Sequence, residues 1–405
     1  MLPCWAQLIW EYLKPAGKLI KDMSEKQYNT TAVFVSACAG MAFFGVTMLS
    51  LAPILGKLNV VVGDGALSLP STMSIGIILG TVIFGPVVDR FGYKWLLVIS
   101  SVLALAGIQG LARFTQLPLL HGAMFCLGLG GGILNGLTNA LVADIYDDDK
   151  RGGRLGVLGA FYCIGALLWT LLNYFIPDYS LPLNAVSVVM ALFIVFFCLT
   201  AFPKAKPSGS VSMNKSLGLL KYPALLLFSV VLFFESGFEG CSGSFTVEFF
   251  NQTTPMDTKT ATLAMTWFTI GMMAGRFPLG AIQRKLKAVG TLYTYLSVAT
   301  IGVVLYTVCN GPLGAYIAMA LIGFGVGATF PVVLNYIGGA FREQSGTAMS
   351  IAIFIALLGQ FTFNRLTGNA FALGRYATLP ALMFTAVVAM MVIVPFALRF
   401  ARKNK

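Results

Sequence analysis

The stretch GPVVDRFGYK, residues 85–94, places one acid, two bases and two glycines between two strongly apolar runs. So compact a charged turn is unusual in this chain, because only 10% of its 405 residues are charged and 57% are hydrophobic. Soluble domains carry about 25% charged residues. The turn is therefore predicted to be a loop that connects two segments buried in a membrane.

Apolar runs of about 20 residues, the length that crosses a bilayer as a helix, recur along the whole chain. In lipid each segment must satisfy its own backbone polar groups, which favours helices, and the runs lack the alternation of a membrane β-barrel. The sequence thus predicts an all-α membrane protein with twelve transmembrane helices. The predicted spans are 31–53, 67–87, 95–112, 117–142, 155–175, 182–202, 223–249, 260–282, 288–309, 313–338, 346–367 and 376–398.

The lysine and arginine residues are unevenly distributed. With the N-terminus inside, 21 of the 27 fall on one side of the predicted membrane. Positive residues accumulate on the cytoplasmic side of membrane proteins. Both termini are therefore predicted to be cytoplasmic, in a multi-pass protein of the plasma (inner) membrane. The net charge of +12 then serves topology, and no nucleic-acid partner is expected.

Residues 1–30 are predicted to be a cytoplasmic leader. The segment WAQLIWEYLK, residues 5–14, puts its apolar residues on one helical face, with lysines nearby. This pattern is typical of a short amphipathic helix that lies on the membrane surface. A leader without fixed structure is the alternative.

Few residues of this chain could hold a cofactor. The seven cysteines show no CxxC spacing, and His121 is the only histidine, so neither a metal site nor another cofactor is predicted. A phosphate-binding Gly–Lys–Ser/Thr motif is also absent from the sequence, which argues against ATP-driven transport by this chain alone.

An internal repeat appears when the sequence is shifted by 195 residues. It predicts an N-terminal six-helix bundle (31–202), a cytoplasmic linker (203–222) and a C-terminal six-helix bundle (223–405). A carrier that rocks two bundles about a central site has this arrangement, and an enzyme does not need it. The aligned glycine pairs are Gly80 and Gly275, Gly85 and Gly280, Gly128 and Gly323, Gly130 and Gly325, and Gly132 and Gly327.

The charged turn resembles the loop signature of the major facilitator superfamily, a Gly, three residues, Asp-Arg, one residue, Gly, one residue, and Arg or Lys. The matching positions are Gly85, Asp89, Arg90, Gly92 and Lys94. A glycine lets a neighbouring helix approach closely. The acid can accept hydrogen bonds from a helix N-terminus or pair with an arginine of the other half. These five residues are therefore predicted to act in gating.

Within that superfamily the chain looks most like the fucose/glucose/galactose–proton symporter group. The resemblance rests on residues 128–167 and on FFESGFEGCSGSF, residues 233–245. The group's best understood member couples protons through acids in its first and fourth spans. Here the first span has no acid and Asn135 stands at the aligned position of the fourth. Asn135 and Asn139, one turn apart, could bind sugar hydroxyls or join neighbouring helices.

Glu235 and Glu239 are the two carboxylates deep within a predicted span, and their i, i+4 spacing puts them on one helix face. Charge is costly in hydrocarbon, so they are expected to face a central cavity or to pair with a cation. Because burial favours the neutral acid, both are predicted to couple transport to protons. Sodium binding and a structural ion pair are the alternatives.

Other polar and aromatic residues complete the predicted site. Arg276 and Asp144 are assigned to gating, with Asp144 or Glu343 as candidate partners of Arg276. Arg365 could bind an anion, pair with Glu239 or snorkel to the interface. The remaining candidates for substrate contact are Tyr162, Trp169, Trp267 and Gln360.

The resemblance and these residues together predict a secondary active transporter. It would act as a monomer and import a small polar solute, a monosaccharide, by proton-coupled alternating access. An exporter of drugs or organic anions is one alternative. A transport-inactive sensor or scaffold with the same fold is another.

Overall fold

The computed structural model describes residues 28–51, 68–176, 178–203 and 218–403, together with Ile54, Leu58, Val62 and Ala66. The predicted amphipathic leader segment and residues 204–217 of the linker lie outside these ranges. The described chain is helical and contains no β-strand. Its α-helices are α1 Thr30–Leu49, α2 Leu69–Phe91, α3 Lys94–Arg113, α4 Leu117–Ile145, α5 Asp148–Phe175, α6 Ser180–Leu199, α7 Pro223–Thr253, α8 Thr258–Arg276, α9 Leu279–Val308, α10 Pro312–Val326, α11 Thr329–Ala340, α12 Ser345–Ala372 and α13 Thr378–Lys403.

Eleven helical segments of the described residues are long and apolar enough to cross a membrane. The remaining predicted span corresponds to α8, whose 19 residues include several threonines as well as Lys259 and Arg276. These polar residues lower its hydropathy without stopping the helix, because a packed helix satisfies its own backbone. The predicted all-α fold with twelve spans is thus confirmed.

Two spans are less regular than the sequence predicts. The tenth span is divided between α10 and α11, with a break at Gly327 and Ala328. The eighth span continues beyond α8, through Phe277 and Pro278, into the first turns of α9. Its end is marked by Lys287, which has a left-handed φ of 55°. Arg276 therefore lies well inside the eighth span and not near its end.

The internal repeat governs how helices approach one another within each half. At four matched positions, a Cβ added to a glycine would meet the backbone carbonyl of a facing helix. Each facing residue in the first half is also 195 positions before its counterpart in the second half. The pairs are Gly76–Phe125 and Gly271–Ala320, Gly80–Leu129 and Gly275–Phe324, Gly128–Met73 and Gly323–Phe268, and Gly132–Ile77 and Gly327–Met272. The two halves are pseudo-repeats in three dimensions as well as in sequence.

The helices of each half pack in the same pairs. In the first half α2 packs on α4, α1 on α5 and α3 on α6; in the second, α8 packs on α10, α7 on α12 and α9 on α13. The halves meet where α2 packs on α12 and where α5 packs on α8, α9 and α11. We call the end of the molecule where the α2–α3, α4–α5 and α11–α12 connections come together the latch end.

Candidate functional site

The charged turn joins the two bundles at the latch end. Asp89, in the last turn of α2, accepts hydrogen bonds from the backbone N–H groups of Gly346 (3.2 Å) and Thr347 (2.9 Å), and from the Thr347 hydroxyl (2.7 Å). Gly346 and Thr347 open α12, so the carboxylate lies on the positive end of that helix dipole. Asp89 is buried. Of the two partners predicted for this acid, the structure places the helix N-terminus beside it.

The other four residues of the signature differ in their contacts and exposure. A Cβ added at Gly85 would lie 2.8 Å from the carbonyl oxygen of Gly346 and 2.9 Å from Cα of Thr347, so this glycine permits the close approach of α2 to α12. Gly92 ends α2 with a φ of 82°. Arg90 is exposed and Lys94 is half-buried. Contact between the bundles at the signature therefore involves Gly85 and Asp89.

Asp144 strengthens the same junction. It accepts a hydrogen bond from the Ser345 hydroxyl at 2.8 Å, across the bundle interface, and another from the buried hydroxyl of Tyr93. Burial and the nearby Asp144 carboxylate raise the pKa of Tyr93 well above its usual value, so this phenol remains a proton donor. Asp144 thus lies at the start of α12 beside Asp89, and not beside Arg276 as one predicted pairing had it.

A second set of contacts closes the latch end between α5 and the other bundle. Arg151 is buried, pairs with Asp148 at 2.7 Å and donates to the backbone carbonyl of Asn335 at 3.4 Å. Asp148 also pairs with Arg342 across the interface at 3.0 Å. The acidic stretch 144–150 is therefore divided among ion pairs and interhelical hydrogen bonds. Among the described residues, the structure contains no group of acids, cysteines and histidines suited to a metal ion.

Glu235 and Glu239 lie in the middle of α7. Glu235 is 0% exposed, and its Oε2 accepts a hydrogen bond from the Ser236 hydroxyl at 3.0 Å. Its other oxygen, Oε1, is buried without a hydrogen-bond partner among the described residues. Glu239 is half-buried. One acid is therefore enclosed within protein, and the other, one turn away, is partly exposed.

Arg276 brings a positive charge to these acids from α8. Its guanidinium is within electrostatic range of both Glu235 and Glu239, and the residue is 5% exposed. The side chain joins the bundles, because it donates to the Gly159 carbonyl of α5 at 2.8 Å and to the Gly327 carbonyl at 3.1 Å. The second carbonyl lies at the break between α10 and α11. Arg276 is therefore a central residue of the bundle interface.

Tyr162 of α5 lies against this charged group. Its ring is 5.8 Å from the Arg276 guanidinium and 5.5 Å from the ring of Phe44 in α1. Cys163, the next residue, has its sulfur 3.6 Å from the guanidinium. Among the aromatic residues predicted to contact substrate, Tyr162 is the one that the structure brings to the acids. Gln360 of α12 is also close, packed on Gly240, the neighbour of Glu239.

The two tryptophans predicted to contact substrate make other contacts in this structure. Trp169 is 0% exposed, and its indole N–H donates to the carbonyl of Leu49 at 2.8 Å, so it fixes α5 to the end of α1. Trp267 is 40% exposed and stacks on Tyr316 of α10. It shares a stripe with exposed Leu263 and Phe277, which runs the length of the span and fits contact with lipid.

Asn135 and Asn139 lie one turn apart on the same face of α4, as their spacing predicts. The Asn139 amide donates to the Asn135 carbonyl at 2.8 Å and to its side-chain oxygen at 3.3 Å. Both residues are buried on one face of α4.

Arg365 of α12 is exposed on the same helix face as exposed Phe361. Of the three predicted roles of Arg365, snorkelling is the one that this position fits.

The packing of the Arg276 side chain against α5 at Gly159 was not predicted from the sequence. A Cβ added at Gly159 would lie 3.1 Å from the Arg276 side chain, so this glycine makes room for the guanidinium against α5. The available signal was the run of glycines at 152, 153, 156 and 159. Together the contacts bring two acids, one base and a tyrosine to the plane where the bundles meet, below a closed latch end.

Comparison with known proteins places this geometry in a family. The sequence profile of the Major Facilitator Superfamily matches residues 31–364. The D-xylose transporter of Levilactobacillus brevis is 32% identical over 104 residues, which cover 26% of this chain and 23% of that protein. Multidrug resistance protein 3 of Bacillus subtilis (strain 168) is 24% identical over 157 residues, 38% of this chain and 30% of that protein. The chain thus matches less than a third of the length of these two relatives.

The solved structure of the E. coli fucose:proton symporter FucP superposes with a TM-score of 0.77 at 17% sequence identity, over 92% of this chain and 98% of that one. This likeness shows a shared fold. Because the family profile covers most of the chain, from residue 31 to residue 364, the protein belongs to the Major Facilitator Superfamily and is a multi-pass membrane transporter.

Proposed function

We propose that this transporter imports a small neutral polyhydroxylated solute, a monosaccharide, by alternating access coupled to protons. The observation that carries the proposal is the acid pair in α7, with one carboxylate enclosed, the other partly exposed, and Arg276 joining both bundles beside them. Such a pair changes its charge when a proton binds, at the place where the bundles must separate.

The latch end is proposed to face the cytoplasm of a plasma (inner) membrane. Arg90, Lys94, Arg151 and Arg342 all belong to this end, as the excess of positive residues on cytoplasmic surfaces requires. With the latch end closed, the central acids would exchange protons with the opposite, external side. Both termini and the linker 203–222 would then be cytoplasmic, between bundles formed by residues 31–202 and 223–405.

Coupling is assigned to Glu239 and Glu235, in that order. Glu239 is half-buried, whereas Glu235 is fully enclosed. We expect Glu239 to exchange its proton with the external solution and Glu235 to share that proton. When Glu239 is ionised it attracts Arg276. When Glu239 is neutral, this attraction is lost and Arg276 keeps only its hydrogen bonds to the Gly159 and Gly327 carbonyls. A proton needs one carboxylate, whereas sodium needs several oxygen ligands around it.

A neutral solute fits the charge balance of the site. With one acid protonated, the other offsets Arg276, so no net charge is left for an ionic substrate. Tyr162, Gln360 and Asn135 supply hydroxyl and amide groups, which pair with sugar hydroxyls. The similarity to the D-xylose transporter and to FucP supports a sugar, while the similarity to Multidrug resistance protein 3 makes export of an organic molecule the competing function.

The test is solute movement by the purified protein in liposomes. We expect a thermal-shift screen of D-xylose, L-fucose, D-glucose and D-galactose to identify a stabilising sugar. We expect that sugar to accumulate when the external side is made acidic and not when a sodium gradient is imposed. Accumulation driven only by sodium would contradict proton coupling. Exclusion of a lipophilic cation driven by the proton gradient would favour the exporter, and no flux of any solute would favour a sensor or scaffold.

A further inference from the structure

Two amide side chains at the closed latch end each have one atom without a hydrogen-bond partner among the described residues. Gln283, in the first turns of α9, and Asn335, in α11, both project over Gly152 of α5. The Gln283 Nε2 and the Asn335 Oδ1 are buried and have no hydrogen-bond partner in the part of the chain that the structure describes. One is a donor and the other an acceptor, so both sides of a hydroxyl group could be satisfied here.

The internal repeat shows that packing alone does not require amides at these positions. Subtracting 195 residues takes Gln283 to Val88 and Asn335 to Ala140. Val88 packs on Gly346 of α12 in the way that Gln283 packs on Gly152 of α5, and both Val88 and Ala140 are buried. At the two equivalent positions the other half therefore carries apolar side chains.

The helices at this junction cross at very short range. A Cβ added at either Gly153 or Gly280 would lie 2.8 Å from Cα of the other. With α5 and α9 in contact, no solute fits between them at this crossing. Opening of the latch end separates these helices and exposes Gln283 and Asn335 to the path that leads from the acids to the cytoplasm.

We propose that Gln283 and Asn335 form a solute subsite on this exit path, used when the latch end is open. The ligand is a neutral polyhydroxylated solute, because the atoms offered to it, Gln283 Nε2 and Asn335 Oδ1, belong to neutral amides. The inference rests on the proposed function for the identity of the solute. Buried polar groups without partners also oppose the closed state, so the amides favour opening before the solute leaves.

The internal repeat supplies the variants for the test, Gln283→Val and Asn335→Ala. In liposomes of defined orientation, sugar counterflow is measured from each side with whichever of D-xylose, L-fucose, D-glucose and D-galactose the wild type carries. The concentration for half-saturation from the latch-end side is expected to rise about fivefold, the loss of one neutral hydrogen bond. The value from the opposite side should stay within about twofold. Gln109→Val, which removes an amide bonded to Asn184 within one bundle, should change neither value.

Thermal unfolding provides a readout that needs no substrate. Because each substitution removes an unpaired buried atom, the unfolding temperature is expected to rise by about 2 °C. A fall would identify the amides as packing groups and overturn the proposal. A rise with equal half-saturation changes on both sides, or with none, would mean that the amides bind only water, and would also overturn it. If the wild type carries no sugar, the proposed function fails. A rise in the unfolding temperature of the variants would then still show that Gln283 and Asn335 destabilise the closed state.

Discussion

Asp89 in α2 accepts two hydrogen bonds from Thr347 at the start of α12, one from the backbone N–H at 2.9 Å and one from the hydroxyl at 2.7 Å. The two residues are far apart in sequence and belong to different bundles. A buried carboxylate on the N-terminus of a helix makes a charge-assisted contact that is stronger than a neutral hydrogen bond. This contact therefore favours the closed latch end, and the alternating access proposed above would require it to break.

Replacing Asp89 by asparagine is expected to weaken the closed state. The amide can accept with only one oxygen and carries no charge for the helix dipole, so about 2 kcal/mol is lost, equivalent to about 30-fold in the opening equilibrium. Hydrogen exchange at the backbone amides of Gly346 and Thr347 should accelerate by a similar factor. Arg90→Gln, which changes an exposed residue of the same turn, should leave these rates unchanged, and equal acceleration in both variants would contradict the assignment.

The conformation shared by Gly92 and Lys287 gives a stability prediction. These residues are 195 positions apart and have nearly the same backbone, with φ and ψ of 82° and −177° for Gly92 and of 55° and 173° for Lys287. Only glycine adopts this region without strain. Lys287→Gly is therefore expected to stabilise the protein by about 1 kcal/mol, seen as a higher unfolding temperature.

Lys285→Gly is the matched control, because Lys285 is exposed and lies in the helical part of the same segment. There the glycine should destabilise the helix by about 1 kcal/mol. The two substitutions thus have opposite expected signs within three residues. If both lower the unfolding temperature, the left-handed backbone at Lys287 carries no strain.

The roles of the two tryptophans can be tested by conservative substitution. Trp169→Phe removes the hydrogen bond to the Leu49 carbonyl and leaves space in a closely packed site, so it should cost about 2 kcal/mol of stability without changing half-saturation by sugar. Trp267→Phe, on the lipid-facing stripe, should change neither quantity. A large loss of sugar affinity in either variant would instead support the predicted contact with substrate.

How far the sequence predicts this structure depends on what sets each feature. Hydropathy and the 195-residue repeat predict the twelve spans, because lipid constrains length and composition strongly. The break at Gly327 is not predictable, since an apolar run carries no signal for where a packed helix stops. Whether Trp169 and Trp267 face lipid or protein is also not predictable. Lipid and the protein interior are both apolar, so helical periodicity does not distinguish a lipid-facing side chain from a packed one. For Asp89, on the other hand, the sequence predicts a helix N-terminus or an arginine as partner, because few groups can stabilise a buried carboxylate.

Arg276 separates the effect of charge from that of geometry. Arg276→Gln leaves two acids in the membrane without a nearby cation, and is expected to cost about 3 kcal/mol of stability and to abolish transport. Arg276→Lys keeps the charge but cannot reach both the Gly159 and Gly327 carbonyls with a planar fork. We expect the lysine variant to fold and bind sugar, with slower exchange between the two sides. Wild-type rates in the lysine variant would show that the bridging contacts are dispensable.

Proton movement driven by sugar is the direct test of the coupling account. In liposomes without an imposed gradient, addition of the transported sugar to the external solution should make that solution more alkaline, because each sugar enters with a proton. Glu239→Gln should abolish this change while it keeps sugar counterflow, and Glu248→Gln, at an exposed acid of the same helix, should preserve both. Sugar entry by the wild type without proton movement, or undiminished proton movement in Glu239→Gln, would contradict the account.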